Sequence, residues 1–261
     1  MHSTEKGEAM TEATVFNYLL TAWFVLAAVV FIALFFIAAP YGRHVRRGWG
    51  PTLTNRTGWL LMEAPAPLAF AVLYFCGENR GSIVALVFLL LWEAHYVHRA
   101  FIYPLSLHNR EKKMPLTVVL FGAVFNLGNA YLNGRYLFTF ASYTSQWLSD
   151  YRFVLGTIVF IAGFIINRNA DEILHHLRQE NDSGYQIPFG GMYRWISCPN
   201  YFGEILTWLG WAIATWSLPG LAFAAWTIAN LAPRARTHHL WYRQHFPDYP
   251  RERKALIPGL W

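Results

Sequence analysis

The polar side chains best suited to binding a ligand lie beside or inside apolar runs in the C-terminal half of the chain. They form three rows, each with the spacing of one helix face: Asn167, Asp171 and Arg178; Asn200 and Glu204; and Arg234, His238 and Tyr242. Residues at i, i+4 and i+11 lie within about 40° of one another around an α-helix. Because ionisable groups at membrane depth are costly, such rows usually mark a functional site. We therefore expect the three rows to line one shared polar cavity.

A second group of polar residues interrupts the apolar runs of the N-terminal half. Glu63 lies within one run, where its carboxyl is either functional or held by a structural hydrogen bond. In the next run His95 and Arg99 share a helix face, and Tyr96 precedes Arg99 by three residues. A buried tyrosine beside a carboxyl can donate a proton to a ligand oxygen. His95 and His98 alone are a weak metal signal, so we predict no metal site.

The composition is typical of a protein embedded in a lipid bilayer. Hydrophobic residues make up 55% of the chain and charged residues only 14%, whereas a soluble domain carries about 25% charged residues. The net charge of +6 does not indicate nucleic-acid binding, because the basic residues are spread through short loops between apolar runs. Cys76 and Cys198 have neither metal-ligand nor redox spacing. We expect a monomer with the bilayer as its partner.

The apolar segments predict an all-α fold, since about 20 apolar residues span a bilayer as a helix. We predict seven transmembrane helices, which are Phe16–Ala39, Thr57–Cys76, Ser82–Leu105, Pro115–Leu132, Phe153–Asn167, Tyr201–Trp216 and Leu221–Ala232. The fifth is expected to continue as a polar helix through Gln179, and the seventh to Tyr242. Residues 1–15 are polar and are predicted to form a flexible tail.

The distribution of basic residues predicts the orientation of these helices. Seven spans place the two chain ends on opposite sides of the membrane. Most Arg and Lys residues fall in one set of loops, and the other set holds only Lys6, Arg80, Arg135 and Arg152. The positive-inside rule therefore places the N-terminus outside and the C-terminus in the cytosol. All three polar rows then open to the cytosol, where a soluble charged ligand can reach them.

The loop after Tyr185 contains Gly190 and Gly191 in succession. Consecutive glycines allow backbone N–H groups to approach a phosphate, although a plain turn explains them equally well. The chain has no GxGxxG in a strand–turn–helix context and no GxxxxGK[ST]. Any nucleotide would therefore be held by side chains of helices.

Several sequence blocks resemble the steroid 5α-reductase family. They are GYQIPFGGMYRWISCPNYFGEILTWLGWAIATWSLPG and RARTHHLWYRQHFPDYPRERKALIPGLW, with YGRH, WLLMEAPA and HYVHRAFIYPL earlier in the chain. The resemblance covers nearly the whole chain from residue 41, and NYFGE with HHxxY at this spacing is specific. It implies a seven-helix membrane reductase. Such an enzyme uses NADPH to reduce the Δ4 double bond of a 3-oxo-Δ4-steroid by hydride transfer to C5.

The resemblance also implies roles for individual residues. Glu63 and Tyr96 match the pair that hydrogen-bonds the steroid 3-keto oxygen. The positions that line the cofactor cavity are matched by Tyr41, Arg99, Asn167, Asp171, Arg178, Tyr185, Asn200, Glu204, Arg234, His238 and Tyr242. On this basis residues 16–261 form a single reductase domain, of which residues 167–261 mainly bind the cofactor.

Two positions depart from the family pattern. Met62 stands where animal members tend to have Gln, which could alter steroid selectivity. Gln186 stands where a basic residue is common, which removes one phosphate contact. The sequence is similar in style to bacterial members. We therefore expect a bacterial inner membrane location, with a steroid or another sterol-like enone lipid as substrate.

Three other functions remain open. An integral-membrane methyltransferase of the isoprenylcysteine type shares an Asn- or His-Pro-x-Tyr block, but is expected to lack Glu63 and the HYxHR cluster. A reductase of the same fold could act on a polyprenal or an enoyl thioester. A transporter or receptor would use the intramembrane charges as a permeation path and would not oxidise NADPH.

Overall fold

The chain is mostly helical. A computed structural model describes residues 11–37, 50–106, 113–179 and 185–261. The helices are α1 (Glu12–Phe36), α2 (Asn55–Glu63), α3 (Pro65–Cys76), α4 (Ile83–Val97), α5 (Tyr103–Ser106), α6 (Leu116–Arg135), α7 (Tyr151–Gln179), α8 (Pro199–Thr215) and α9 (Leu218–His245). Two short strands, β1 (Thr52–Thr54) and β2 (Lys113–Pro115), pair antiparallel and tie the start of α2 to the start of α6.

Among the described residues, five helical stretches are long and apolar enough to cross a membrane. They are Glu12–Phe36, Asn55–Cys76, Ile83–Ser106, Leu116–Phe140 and Tyr151–Leu177, and each overlaps one of the first five predicted spans. The sixth and seventh predicted spans correspond to α8, which has 17 residues, and to α9, whose second half is rich in Arg and His. The helical fold is confirmed, and the count of seven spans stays a prediction.

The first helix begins earlier than the sequence predicted. Residues 12–15, assigned to the flexible tail, form the first turn of α1. The Thr11 side chain caps this turn by accepting from the Thr14 N–H, and Arg135 donates to both carboxylate oxygens of Glu12 at 2.6 and 2.8 Å. A cap and an acidic first-turn residue both stabilise a helix start. Hydrophobicity alone could not show this. Residues 1–10 lie outside the described part of the chain.

Helix α4 continues through a π-helical turn, His98–Ile102, before α5. Such turns often occur at functional sites because they change which side chains face a given direction. Here the turn contains Arg99, whose backbone carbonyl accepts from Trp59 Nε1 at 3.1 Å. The Arg99 guanidinium lies 4.7 Å from the Trp59 ring centroid and 5.4 Å from that of Tyr103. The π turn and the two rings therefore fix the position of this cation.

Helices α7 and α8 approach so closely that their backbones touch. They meet through four glycines at heptad spacing, which are Gly156 and Gly163 on α7 and Gly203 and Gly210 on α8. A methyl group on Gly203 would overlap the backbone nitrogen of Asn167, and one on Gly210 would overlap that of Phe160. Small residues of this kind let helices pack closely in membranes. The contact sets the register between Asn167 and the first turns of α8.

An aromatic core lies between the helices next to the polar residues. Its members Phe70, Phe88, Trp92, Trp208 and Trp211 are fully buried. Phe70 stacks on Trp92 with ring centroids 4.2 Å apart, and Trp92 packs against Trp208 at 5.4 Å. Interlocked rings in this arrangement exclude water and support the polar residues of α4 and α8.

Candidate active site

Glu63 and Tyr96 are connected by a residue of α6 that the sequence did not single out. The side-chain amide of Asn126 lies between them. Its Nδ2 donates to Met62 O at 2.8 Å and to Glu63 Oε2 at 3.2 Å. Its Oδ1 accepts from the Tyr96 hydroxyl at 3.4 Å. Among the hydrogen bonds of the described residues, none joins Glu63 to Tyr96 directly, so the amide is the link between the carboxyl and the phenol.

Asn126 belongs to a row of buried amides on α6. Asn126, Asn129 and Asn133 are spaced i, i+3 and i+7 and share one helix face. Trp211 Nε1 donates to Asn133 Oδ1 at 2.9 Å, and Asn133 Nδ2 donates to Asn129 Oδ1 at 3.2 Å. The Nδ2 of Asn129 is buried without a hydrogen-bond partner. The spacing test applied to the three C-terminal rows would have identified this row as well.

Arg99 is shared between two carboxyl groups from different helices. Its Nε lies 4.0 Å from Glu63 Oε1 on α2, and its Nη1 lies 3.8 Å from Asp171 Oδ2 on α7. Both distances exceed those of a bidentate, hydrogen-bonded ion pair. The Arg99 side chain is 24% exposed. One cation therefore joins the Glu63 end of the site to the polar face of α7.

The first two predicted rows face each other across the α7–α8 contact. Asn167 Nδ2 donates to Asn200 O at 2.9 Å and to Glu204 Oε2 at 3.0 Å. Asn200 Nδ2 donates to Asp171 Oδ1 at 3.1 Å. Since Asp171 also faces Arg99, these residues form one continuous polar cluster.

Donors from three helices surround the Glu204 carboxylate. Besides Asn167 on α7, His95 Nε2 on α4 lies 3.3 Å from Glu204 Oε1, and Trp208 Nε1 on α8 donates to the same oxygen at 2.9 Å. The other ring nitrogen of His95, Nδ1, is buried without a partner. Within the described ranges, no group of three or more His, Cys, Asp and Glu residues is placed to hold a metal ion.

The third row joins the cluster through Tyr201, which the sequence also did not single out. Its hydroxyl lies 3.2 Å from His238 Nε2, and the Arg234 guanidinium lies 5.7 Å from its ring centroid. The backbone N–H of Tyr201 donates to Asn200 Oδ1 at 3.0 Å. Tyr201, which directly follows Asn200, therefore connects Arg234 and His238 on α9 to the polar face of α8.

Two of the remaining predicted cofactor residues, Tyr242 and Tyr185, contact aromatic residues of the C-terminal part of the chain. Tyr242 is buried and stacks on Tyr249 with ring centroids 5.2 Å apart. Tyr185 is 42% exposed and packs edge-on against Trp241 at 5.1 Å. Tyr242 belongs to the second half of α9, and Tyr185 packs against the same half through Trp241. Tyr41 and the side chain of Arg178 lie outside the described residues, so their assignments stay predictions.

A hydrogen-bond junction holds the C-terminal segment against α9. Ser197 Oγ lies 2.7 Å from His239 Nδ1 and 2.6 Å from the Tyr249 hydroxyl, and the Ser197 N–H donates to Lys254 O at 2.8 Å. Burial, followed by the nearby Arg243 and Lys254 charges, lowers the pKa of His239. Because Ser197 Oγ is already bonded to His239, to Tyr249 and, at 3.2 Å, to Lys254 O, we interpret this junction as structural.

The cluster combines two kinds of chemistry. The Glu63–Asn126–Tyr96 link presents a hydroxyl that can donate to a carbonyl oxygen. The arginines and amides around Asn167 and Asn200 can bind phosphate and carboxamide groups.

The chain is similar to known proteins over nearly its whole length. Residues 112–261 match the family model described as 3-oxo-5-alpha-steroid 4-dehydrogenase. The chain is 39% identical over 256 residues to steroid 5-alpha-reductase DET2 of Gossypium hirsutum, covering 96% of this chain and 99% of the relative. It is 38% identical over 240 residues to 3-oxo-5-alpha-steroid 4-dehydrogenase 1 of Bos taurus, covering 90% and 93%. The protein of the same name from Homo sapiens is 38% identical over 223 residues, covering 84% and 85%.

Proposed function

Because this chain belongs to the 3-oxo-5-alpha-steroid 4-dehydrogenase family, we propose that it uses NADPH to reduce the Δ4 double bond of a 3-oxo-Δ4-steroid. Family membership favours a reductase over the methyltransferase and the transporter. The main support is the hydrogen-bonded link that runs from Glu63 through Asn126 to Tyr96. This link lies next to Arg99 and the polar face of α7, so a carbonyl site adjoins a site for a charged cofactor.

The residues near Tyr96 suit the binding of a ketone. The Tyr96 side chain is only 3% exposed and is packed against Trp92 and Trp208. In our proposal its hydroxyl donates a hydrogen bond to the 3-keto oxygen, where negative charge develops during the reaction. A donor fixed in a dry site is worth about 10²–10³ in rate. Glu63 completes the link by holding the amide of Asn126.

The residues around α7 and α8 fit a nicotinamide dinucleotide. When bound, NADPH supplies the hydride that adds to C5, and a proton adds to C4 of the resulting enolate. Asn200 and Glu204 are proposed to orient the nicotinamide end. The ribose, pyrophosphate and adenine are assigned to a larger set of residues: Tyr41, Arg99, Asn167, Asp171, Arg178, Tyr185, Arg234, His238 and Tyr242. The buried, unpartnered His95 Nδ1 and the long Arg99 separations support a ligand that completes these contacts.

The proposal is tested with Tyr96→Phe. Turnover of progesterone or testosterone with NADPH should fall about 100-fold or more, while NADPH binding, measured by fluorescence titration, persists. Tyr143→Phe is the matched control, because the Tyr143 hydroxyl donates to Thr215 O at 2.6 Å far from Glu63. It should keep normal turnover. Normal turnover in Tyr96→Phe would refute the assigned role.

Parallel assays with a polyprenal or an enoyl thioester decide between a steroid and another enone lipid.

We further propose that α8 and α9 also cross the membrane, which gives seven spans with the polar cluster facing the cytosol. The support is the concentration of Arg and Lys in the loops at that end. Cys76 is exposed at the opposite end, whereas Cys198 is buried. A membrane-impermeant maleimide added to intact cells should therefore label Cys76. Labelling of Cys76 only after permeabilisation would show that the protein has the opposite orientation in the membrane. A bacterial inner membrane location and a monomeric state stay predictions.

A further inference from the structure

We infer that Asn126 is a positioning residue of the reaction, which holds the Glu63 carboxyl and the Tyr96 hydroxyl in their working arrangement. This inference rests on the roles proposed above for Glu63 and Tyr96. It adds a third residue, from a different helix, without which the other two are not connected. The observations that support it are the geometry of the Asn126 amide and the packing of α6.

The amide of Asn126 uses its two ends for different partners. The Nδ2 end donates to Met62 O at 2.8 Å and to Glu63 Oε2 at 3.2 Å. The Oδ1 end accepts from the Tyr96 hydroxyl at 3.4 Å, which is long for a bond between two oxygens. The amide is thus held firmly at its donor end and only weakly at its acceptor end. The Tyr96 hydroxyl is aimed by this acceptor and can exchange it for a ketone oxygen at little cost.

The packing of α6 against α2 places the amide at this position. One turn before Asn126, Gly122 faces the side chain of Met62, and a methyl group on Gly122 would overlap that side chain. The two helices therefore approach closely at Gly122. The bond from Asn126 to Met62 O continues the same contact. Because Met62 precedes Glu63, this contact also fixes the end of α2 that carries the carboxyl.

Asn133 provides a matched comparison on the same helix. It is as buried as Asn126, with 1% against 5% of its surface exposed. Its side chain bonds to Trp211 and Asn129, and among the described residues it shares no hydrogen bond with Glu63 or Tyr96. Replacing either amide by Leu removes buried hydrogen bonds of the same type. Only one of the two replacements breaks the link between the carboxyl and the phenol.

The test compares Asn126→Leu with Asn133→Leu in the full-length enzyme. Asn126→Leu should lower kcat about tenfold, the size expected when the Tyr96 donor is no longer held in position for the reaction. The KM for the steroid and the Kd for NADPH should change less than about threefold, because the cofactor residues are untouched. Asn133→Leu should lower the thermal midpoint but keep kcat within about twofold of the wild type. Retained NADPH binding shows that each variant is folded.

A double-mutant cycle with Tyr96→Phe adds a result that a purely structural role would not produce. If Asn126 acts by aiming the Tyr96 hydroxyl, Asn126→Leu should lower kcat by less than about twofold in the Tyr96→Phe background. Additive losses would overturn the inference, as would a normal kcat in Asn126→Leu or an equal loss in Asn133→Leu. If Asn126→Leu fails to fold, Asn126→Asp replaces it. This variant keeps the size and an acceptor oxygen but loses the amide donor, so its kcat should also fall, and a normal kcat would overturn the inference.

The cycle also separates this inference from the proposed function. If Tyr96→Phe is impaired and Asn126→Leu is not, only the inference fails. If Tyr96→Phe turns over normally, the role of Tyr96 fails and the inference fails with it.

Discussion

The two ends of the helical bundle pair their charges in different ways. At the end where α6 finishes and α7 starts, Arg135 donates to both oxygens of Glu12 at 2.6 and 2.8 Å. There Arg152 donates to both oxygens of Asp150 at 2.8 Å. At the other end, which we call the site end, Arg99 lies 3.8 and 4.0 Å from two different carboxyl groups. Arg135 and Arg152 each form two short bonds to a single carboxylate, whereas Arg99 is shared between two carboxyl groups at longer distances.

The exposure of the carboxyl groups follows the same division. The side chains of Glu12 and Asp150 are 50% and 23% exposed, whereas those of Glu63 and Asp171 are 13% and 10% exposed. The side chain and backbone N–H of Arg152 lower the pKa of Asp150 to about 2. The stabilisation from that pair is therefore present above the unfolded-state pKa of Asp150 and is lost only as the pH falls towards 2.

We interpret the shared charges of the site end as the ones that bind a ligand. Short ion pairs near the surface, in which one arginine forms two bonds to one carboxylate, contribute little to stability and need no further group to complete them. Buried and shared charges are costly unless further groups satisfy them, and a ligand with its own charges and donors can do so. The geometry of the pairs, more than the number of charged residues, thus distinguishes the site end.

Arg99→Ala should have the largest effect and is the strongest test of this difference. It leaves the Glu63 and Asp171 carboxyls without the cation between them, and it removes a cation proposed to contact the cofactor. We expect kcat/KM for steroid reduction to fall about 100-fold or more, with a clear rise in the Kd for NADPH. Steady-state kinetics and fluorescence titration measure the two quantities.

Arg135→Ala and Arg152→Ala are the matched controls for Arg99→Ala. Each removes the same charge from a saturated pair at the opposite end, so kcat/KM should stay within about twofold of the wild type. If either control loses activity as severely as Arg99→Ala, the proposed division between the two ends is wrong.

Much of the helical framework could be predicted from the sequence. Apolar run length located the five stretches that are long enough to cross a membrane. Helical spacing alone also paired Asn167 with Asp171 and Asn200 with Glu204, and the structure brings these two rows into contact. Spacing succeeded there because each row lies on one regular helix.

The sequence could not predict features that depend on two helices at once. Tyr201 joins α9 to the cluster because of how α8 and α9 pack, and no periodicity within α8 marks it. The polar row that contains Asn126 could be recognised from its spacing. The position of Asn126 between Glu63 and Tyr96 could not, because it depends on the approach of α6 to α2 at Gly122. Arg99 lies in a π turn, which changes the direction that a regular α-helix would give it. The roles of these residues in catalysis stay predictions.

Smaller effects on stability and cofactor binding are expected from substitutions of the glycines that join α7 to α8. Two of these glycines, both on α8, allow the site end to be compared with the middle of the same helix pair. Gly203→Ala places a methyl group against the backbone of Asn167, and Gly210→Ala places one against that of Phe160. Overpacking of this kind costs about 1–3 kcal/mol, so both variants should lower the thermal midpoint by similar amounts.

Only the glycine at the site end should affect the cofactor. Displacing Asn167 lengthens its bonds to Asn200 and Glu204, so Gly203→Ala should raise the Kd for NADPH about three- to tenfold, the effect of weakening one or two hydrogen bonds. Gly210→Ala moves Phe160 in the apolar middle of α7 and should leave the Kd within about twofold. Thermal unfolding and NADPH titration of both variants separate the two effects. An equal loss of affinity in Gly210→Ala would mean that the α7–α8 contact responds as one rigid unit, so that strain anywhere along it reaches the polar cluster.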